Sequence, residues 1–111
     1  MRPYEFAGGV AVVTGAASGI GAALAVELAR RGSRLVLLDR DAERLAKVAA
    51  PLDAETRIVD LADGAAVVAV GAEIRAAHPR LRLLVNNAGI ALAGRRGVRA
   101  LAVRQAGRPA R

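Results

Sequence analysis

Four short apolar runs, each followed by a polar or glycine-bearing break, set the rhythm of this chain. Residues 9–14 (GVAVVT) are apolar, largely β-branched and bounded by glycine on both sides, the pattern of a strand buried on both faces. Residues 34–39 (RLVLLD), 56–59 (TRIV) and 81–85 (LRLLV) predict three more strands. Between the runs the period lengthens. Ile20, Leu24 and Leu28 recur every fourth position and mark one face of a helix, which should end near Arg31-Gly32 with a cation in its last turn and glycine just after it. Asp41 is placed to cap a second helix that reaches about Ala50, where Pro51 closes it. Asp63 is placed to cap a third, with Val67, Val70, Ile74 and Ala77 on one face and Pro79 as its stop.

The predicted order is β-α-β-α-β-α-β. Strict alternation implies an α/β fold, a Rossmann-like doubly wound parallel sheet with right-handed crossovers. After Gly89 the pattern fades. Residues 91–111 use only Ala, Leu, Gly, Arg, Val, Gln and Pro, and Val98, Leu101 and Ala102 could line at most two weak helical turns between Gly97 and Gly107. The expectation is therefore one domain over residues 1–90, truncated after its fourth strand, and a disordered tail over residues 91–111. If that fourth strand lies at the rim of the sheet, the apolar run Leu83-Leu84-Val85 forms an open, aggregation-prone edge.

Composition sharpens this picture in three places. A chain of 111 residues supports one domain, and with 54% apolar residues but one Phe, one Tyr and no Trp its core must be built from small aliphatic side chains. The absence of cysteine excludes a disulfide framework and any thiolate metal site. The net charge of +7 belongs mostly to the tail, where residues 91–111 hold six Arg and no acid. Those arginines offer phosphate contacts, but no aromatic residue is there to stack a base and no recognition helix accompanies them, so a basic-tailed nucleic-acid-binding protein is the weaker alternative. Residues 6–26 are uncharged over a length that could span a bilayer, yet five glycines interrupt them, and Met1-Arg2-Pro3-Tyr4-Glu5 lacks the layout of a secretory leader. The expectation is a cytoplasmic protein without a membrane partner.

The chemistry concentrates at Thr14-Gly15-Ala16-Ala17-Ser18-Gly19-Ile20-Gly21. Gly15 lets the chain turn sharply off the first strand, Gly19 lets backbone approach a phosphate, and Gly21 lets the helix pack close to the strand. The helix N-terminus then presents amide N–H groups and a positive dipole end to a pyrophosphate. The spacing is G-x-x-x-G-x-G, which differs from the commonest dinucleotide fingerprint, and no Gly-Lys-Ser/Thr follows, which excludes a P-loop. Glycines in a turn are weak alone; their place between a strand and a helix in the first βαβ unit is what favours a dinucleotide. Asp39 ends the second strand, 24 residues after Gly15. A carboxylate there can accept hydrogen bonds from ribose hydroxyls and repels a 2′-phosphate, which favours NAD over NADP. Arg40 beside it could pair with such a phosphate. The plain alternative makes both solvated turn residues.

Together, the octet at residues 14–21, Asp39, Asp60-Leu61 and Asn86-Asn87-Ala88-Gly89 resemble the N-terminal part of a short-chain dehydrogenase/reductase, over roughly residues 5–93. The resemblance implies an NAD(P)-dependent oxidoreductase that moves hydride between a nicotinamide cofactor and an alcohol or ketone. It implies a cofactor-binding set of Gly15, Ser18, Gly19, Ile20, Gly21, Asp39, Arg40, Asp60, Leu61, Asn87, Ala88 and Gly89. In that set Asp60 and Leu61 meet the adenine, while Asn87, Ala88 and Gly89 shape the floor near the adenosine ribose and brace the sheet. Ser18 stands where NADP-preferring relatives often place a basic residue, which again favours NAD.

The same resemblance implies a catalytic Ser, a Tyr-x-x-x-Lys pair and a further Asn, all C-terminal to the matched segment. The 111 residues hold none of them. The one Tyr is Tyr4, the one Lys is Lys47, no Ser follows Ser33 and no Asn follows Asn87. His78, at a helix end, reads as a surface residue or partial cap and not as an acid/base. The expectation is a truncated, cofactor-binding form without turnover of its own, or a non-catalytic NAD-binding module. The narrow tail composition is that expected of an out-of-frame or prematurely ended reading.

Overall fold

The computed structural model describes residues 8–87 together with the backbone of residues 99–102. Five parallel strands form one sheet: β1 (Val10–Thr14), β2 (Arg34–Asp39), β3 (Glu55–Ile58), β4 (Leu81–Asn86) and β5 (Arg99–Ala102). Their order across the sheet is β3-β2-β1-β4-β5. Helices α1 (Gly19–Arg30), α2 (Ala42–Ala49) and α3 (Gly64–Ala77) supply the crossovers, and a 3-10 turn at Ala50–Leu52 follows α2. The parallel α/β architecture is the one the alternating pattern predicts. The chain runs outward from β1 in one direction to β2 and β3, then returns to the other side of β1 for β4. The reversal falls between β1 and β4, and the carboxyl ends of strands at such a point are where doubly wound sheets bind ligands.

Both faces of the central strands are covered. On one face Ala11, Val13, Leu35, Leu37 and Val85 pack against Ala25 and Leu28 of α1 and Leu45 and Ala49 of α2. On the other, Val12, Val36, Leu38 and Leu84 pack against Val67 and Ile74 of α3. Burial on two faces is why these strands read as unbroken apolar runs. The buried line of α1 is Gly21, Ala25 and Leu28, and Ile20 and Leu24 lie beside it, half-buried. The small residues turn toward the sheet because they let the helix axis approach it. On α3 the buried line is Val67, Gly71 and Ile74; Val70 is half-buried and Ala77 is exposed, for the same reason.

Element ends follow local chemistry. Asp41 caps α2 by accepting from the Arg44 N–H at 3.0 Å, and Asp63 caps α3 by accepting from the Ala66 N–H at 3.1 Å. Gly32, at φ 96°, takes the left-handed conformation just beyond α1 that few other residues adopt. Pro51 lies inside the 3-10 turn instead of ending α2 outright. The third strand starts one residue earlier than the apolar pattern predicts, at Glu55, because its pairing with Val36 is set by backbone register and not by its own side chains.

The largest departure concerns the end of the sheet. The sequence pattern ends it at the fourth strand, with Leu83-Leu84-Val85 as an open edge. Instead β5 pairs with β4 in parallel, with Leu83 opposite Arg99 and Asn86 opposite Ala102. Leu101 and Ala102, spaced for a weak helical turn, are in strand. Twelve residues, 87–98, separate the two strands, about the least a parallel crossover needs. The run Arg-Ala-Leu-Ala has little intrinsic strand preference; the unpaired N–H and C=O groups of the apolar β4 edge supply the drive. The expected boundary at residue 90 and the remainder of the tail lie outside the described residues, yet β5 belongs to the same sheet as β1.

Candidate functional site

The glycine turn is assembled at the carboxyl end of β1. Gly15 adopts φ 64°, a left-handed conformation that turns the chain off the strand. The Ala16 N–H then donates to the Leu38 carbonyl at 3.1 Å, and the Ala17 N–H donates to Asp39 Oδ2 at 2.9 Å. Two successive turn amides are thus tied to the end of β2. The Ser18 hydroxyl donates back to the Gly15 carbonyl at 2.8 Å. It therefore closes the turn on itself and makes no side-chain cap to α1.

Asn87 clamps the turn from the opposite side. Its Nδ2 donates to the Gly15 carbonyl at 3.1 Å and to Ser18 Oγ at 2.9 Å. The side chain is only 2% exposed, and among the described residues its Oδ1 is buried without a partner. A buried amide oxygen left in this state costs about 1–3 kcal/mol, so the site retains an unsatisfied acceptor. Thr14, fully buried at the end of β1, has its hydroxyl 3.3 Å from Asn86 Oδ1 and 3.4 Å from the Val85 carbonyl, which holds β4 level with β1 where Asn87 leaves it.

The three glycines answer to different demands. A Cβ on Gly21 would overlap the Gly15 carbonyl oxygen and come within 2.9 Å of Asn87 Nδ2, so the protein itself requires glycine there. Gly15 requires it through its φ. At Gly19 a Cβ would meet nothing within 4 Å. Among the described residues, no contact explains glycine at the exposed first residue of α1.

Around the turn, Asp39 Oδ1 also accepts from the Asp41 N–H at 3.1 Å, so both carboxylate oxygens face backbone amides. Arg40 is exposed beside it, and Ile20 is half-buried. Asp60, beyond β3, is exposed; its Oδ1 accepts from the Ala62 N–H at 2.9 Å, a local turn. Leu61 packs against the α3-side core as a half-buried residue. The structure thus brings together Gly15, Ser18, Gly19, Ile20, Gly21, Asp39 and Asn87, with Asp60 and Leu61 at the end of the neighbouring strand. Ala88 and Gly89 lie outside the described residues. Spacing alone did not reveal that Asn87 and Asp39 hold the glycine turn, since those contacts span 22 to 72 residues of chain.

The opposite end of the sheet carries different chemistry. His78 ends α3, and its Nε2 lies 3.0 Å from Glu55 Oε1 on β3, while Arg57 pairs with the same glutamate at 2.9 Å. The histidine sits at the other end of the sheet from the turn, in keeping with a partial cap. No group of three or more His, Cys, Asp or Glu able to hold a metal ion occurs among the described residues, and no helix among them is long and apolar enough to cross a membrane.

The geometry has close counterparts. A profile of the family described as short chain dehydrogenase matches residues 9–105, extending the resemblance past residue 93 and through β5. The human protein named dehydrogenase/reductase SDR family member 13 is 45% identical over 95 residues, 79% of this chain and 25% of its own length. A metagenomic short-chain oxidoreductase solved in complex with NADP superposes with a TM-score of 0.72 at 43% identity, covering 78% of this chain and 42% of that one. A short-chain dehydrogenase/reductase from Burkholderia phymatum, solved in complex with NAD, superposes at 0.68 with 41% identity over 77% of this chain and 32% of that one. Among eight curated relatives the chain spans between 25% and 38% of their lengths. With the family's profile matching residues 9–105 and solved members superposing over more than three quarters of the chain, the chain belongs to the short-chain dehydrogenase family.

Proposed function

We propose that residues 15–21, Asp39 and Asn87 form the adenosine-pyrophosphate half of a nicotinamide dinucleotide site, selective for NAD over NADP. The observation that carries this reading is the start of α1. Its first-turn amides have no intrahelical partners, receive no side-chain cap and have no acidic residue among them. An open space lies beside Gly19, and the dipole end favours an anion there. Asn87 adds a buried acceptor on the same turn.

In this reading the N–H groups at the start of α1 take the pyrophosphate, and Gly19 leaves it room to reach them. Asp39 takes the adenosine ribose hydroxyls and disfavours a 2′-phosphate, with the exposed Arg40 at the rim. Asp60 and Leu61 border the adenine, and Ala88 and Gly89 complete the floor. When bound, the dinucleotide supplies a nicotinamide able to accept or donate hydride to an alcohol or carbonyl substrate. The chain's own residues bind and orient it. The 111 residues hold no Tyr-x-x-x-Lys pair, so this chain alone is expected to bind the dinucleotide without turnover. The localisation that fits is cytoplasmic.

A matched pair of substitutions tests the reading. Gly19 and Gly64 are both first residues of helices, and a Cβ at either meets nothing within 4 Å. Ala at each should leave the fold as stable or make it more stable, by up to ~1 kcal/mol from helix propensity. Calorimetric titration with NAD should show at least about a tenfold loss of affinity, ~1.4 kcal/mol, for Gly19→Ala and none for Gly64→Ala. Equal affinities in the two variants would overturn the reading.

A further inference from the structure

Asp39 is the one side chain at the site whose two oxygens both face backbone amides among the described residues. One of those amides, on Ala17, lies inside the glycine turn, and the other, on Asp41, lies at the N-cap of α2. The Asp39 carbonyl also accepts from the Val59 N–H at 3.1 Å, so the residue's backbone is anchored in the sheet. Ala17 is buried, and its side chain has no polar group with which to satisfy the amide by another route. The next amide, on Ala16, is already committed to the Leu38 carbonyl.

We propose that Asp39 is a positioning residue for the glycine turn as well as the residue that discriminates between the two dinucleotides, and that these two roles constrain each other. The discrimination half rests on the proposed dinucleotide site; the positioning half does not. By holding the Ala17 N–H, the carboxylate fixes the step at which the chain leaves β1 and enters α1, and so aims the amides that follow. The carboxylate cannot swing aside to admit a 2′-phosphate without releasing both Ala17 and Asp41. Selection against a phosphate is then enforced by a fixed charge, because moving the charge disorders the pyrophosphate turn. An exposed aspartate on a free rotamer would discriminate less sharply, since it could rotate away.

Two substitutions separate position from charge. Asp39→Asn removes the charge and leaves one acceptor oxygen where there were two, so one of the two amides, Ala17 or Asp41, must lose its partner. Asp39→Ser removes the charge and is too short to reach both. Amide hydrogen exchange, measured on the ligand-free 111-residue chain by NMR, is the deciding readout. Protection is expected to fall at both Ala17 and Asp41 in Asp39→Ser, at one of them in Asp39→Asn, and at neither control amide, Ala66 in the α3 cap or Ala22 within α1. Titration with NAD and NADP is the second readout. Both variants should lose NAD preference to a similar degree, while Asp39→Ser binds NAD at least about tenfold more weakly than Asp39→Asn, ~1.4 kcal/mol. Unchanged protection at Ala17 and Asp41 in both variants would sink the proposal, as would equal NAD affinity in the two. Should the wild-type chain bind neither dinucleotide, the proposed function fails while the exchange measurement still decides whether Asp39 positions the turn.

Discussion

Helices α2 and α3 begin in one way and α1 in another. Each of the first two starts from an aspartate whose carboxylate takes an N–H of its first turn, Arg44 in one case and Ala66 in the other. Their ends are closed by the protein itself. Helix α1 starts from Ser18, a residue well able to cap, but its hydroxyl points back to the Gly15 carbonyl and takes a hydrogen bond from Asn87. Local sequence offers all three helices a capping residue, and the tertiary contacts of one redirect it. A capped end contributes to folding. An uncapped end, set by a turn hydrogen-bonded from Asp39 of β2 and from Asn87 just beyond β4, receives no side-chain cap among the described residues, as the proposed dinucleotide site requires.

The contrast predicts that substitutions at the open end and at the capped ends fail differently. The largest effect should come from Gly21→Ala. Its new methyl group would overlap the Gly15 carbonyl and crowd Asn87, forcing α1 away from β1. A loss of about 3 kcal/mol is expected, the upper part of the range for overpacking, read as a lower denaturant midpoint, and dinucleotide affinity should fall with it. An unchanged midpoint would mean that α1 does not sit as close to the turn as described.

Removing the caps should come next. Asp41→Ala and Asp63→Ala are each expected to cost ~1 kcal/mol. Neither should alter NAD affinity by more than a factor of about two, ~0.4 kcal/mol, in the folded protein, because neither aspartate touches the turn at residues 15–18. A tenfold affinity loss in Asp63→Ala would erase the distinction between the two kinds of helix start.

The smallest effect belongs to the far end of α1. Glu27 bridges Arg30 at 2.9 Å and Arg31 at 2.6 Å. Its hydrogen bond with Arg31 is the main cause that holds its carboxyl below the usual glutamate range; desolvation opposes this, and the charges of Arg30 and Arg31 add to it. A carboxyl whose pKa is depressed on folding adds stability above its unfolded pKa and loses it as pH falls through the folded one. The group is exposed and the pair is screened by salt. Glu27→Gln should therefore lower Tm only marginally at neutral pH, and the difference should vanish below the ordinary glutamate range, ~4.3, or in high salt. A difference that grows in acid would contradict this sign.

Much of the fold is legible in the amino-acid sequence. The apolar runs located β1, β2 and β4 because a strand buried on both faces must be apolar throughout. Asp41 and Asp63 announced two helix starts, since cap chemistry is local. The glycine octet and the tetrad beginning at Asn86 pointed to the family, and the family match supports them. Other features were hidden. β5 carries no strand signature of its own, because its pairing is driven by the neighbouring edge. On the buried faces of α1 and α3 the large residues Leu28, Val67 and Ile74 were legible, but Gly21, Ala25 and Gly71 beside them were not, because a search for large apolar residues passes over small ones.

Composition and local pattern by themselves determined that the chain is α/β, where its glycine turn lies and which residue types surround it, because these follow from periodicity, turn chemistry and capping within a few residues. Only the tertiary structure decided that Ser18 would close the turn instead of capping α1, that Asn87 would clamp the Gly15 carbonyl, and that Asp39 would hold the Ala17 amide. Those bonds join residues 3, 72 and 22 positions apart. The two longer ones exist only because the sheet brings the carboxyl ends of β1, β2 and β4 side by side, and Ser18 turns back into the position that Asn87 completes.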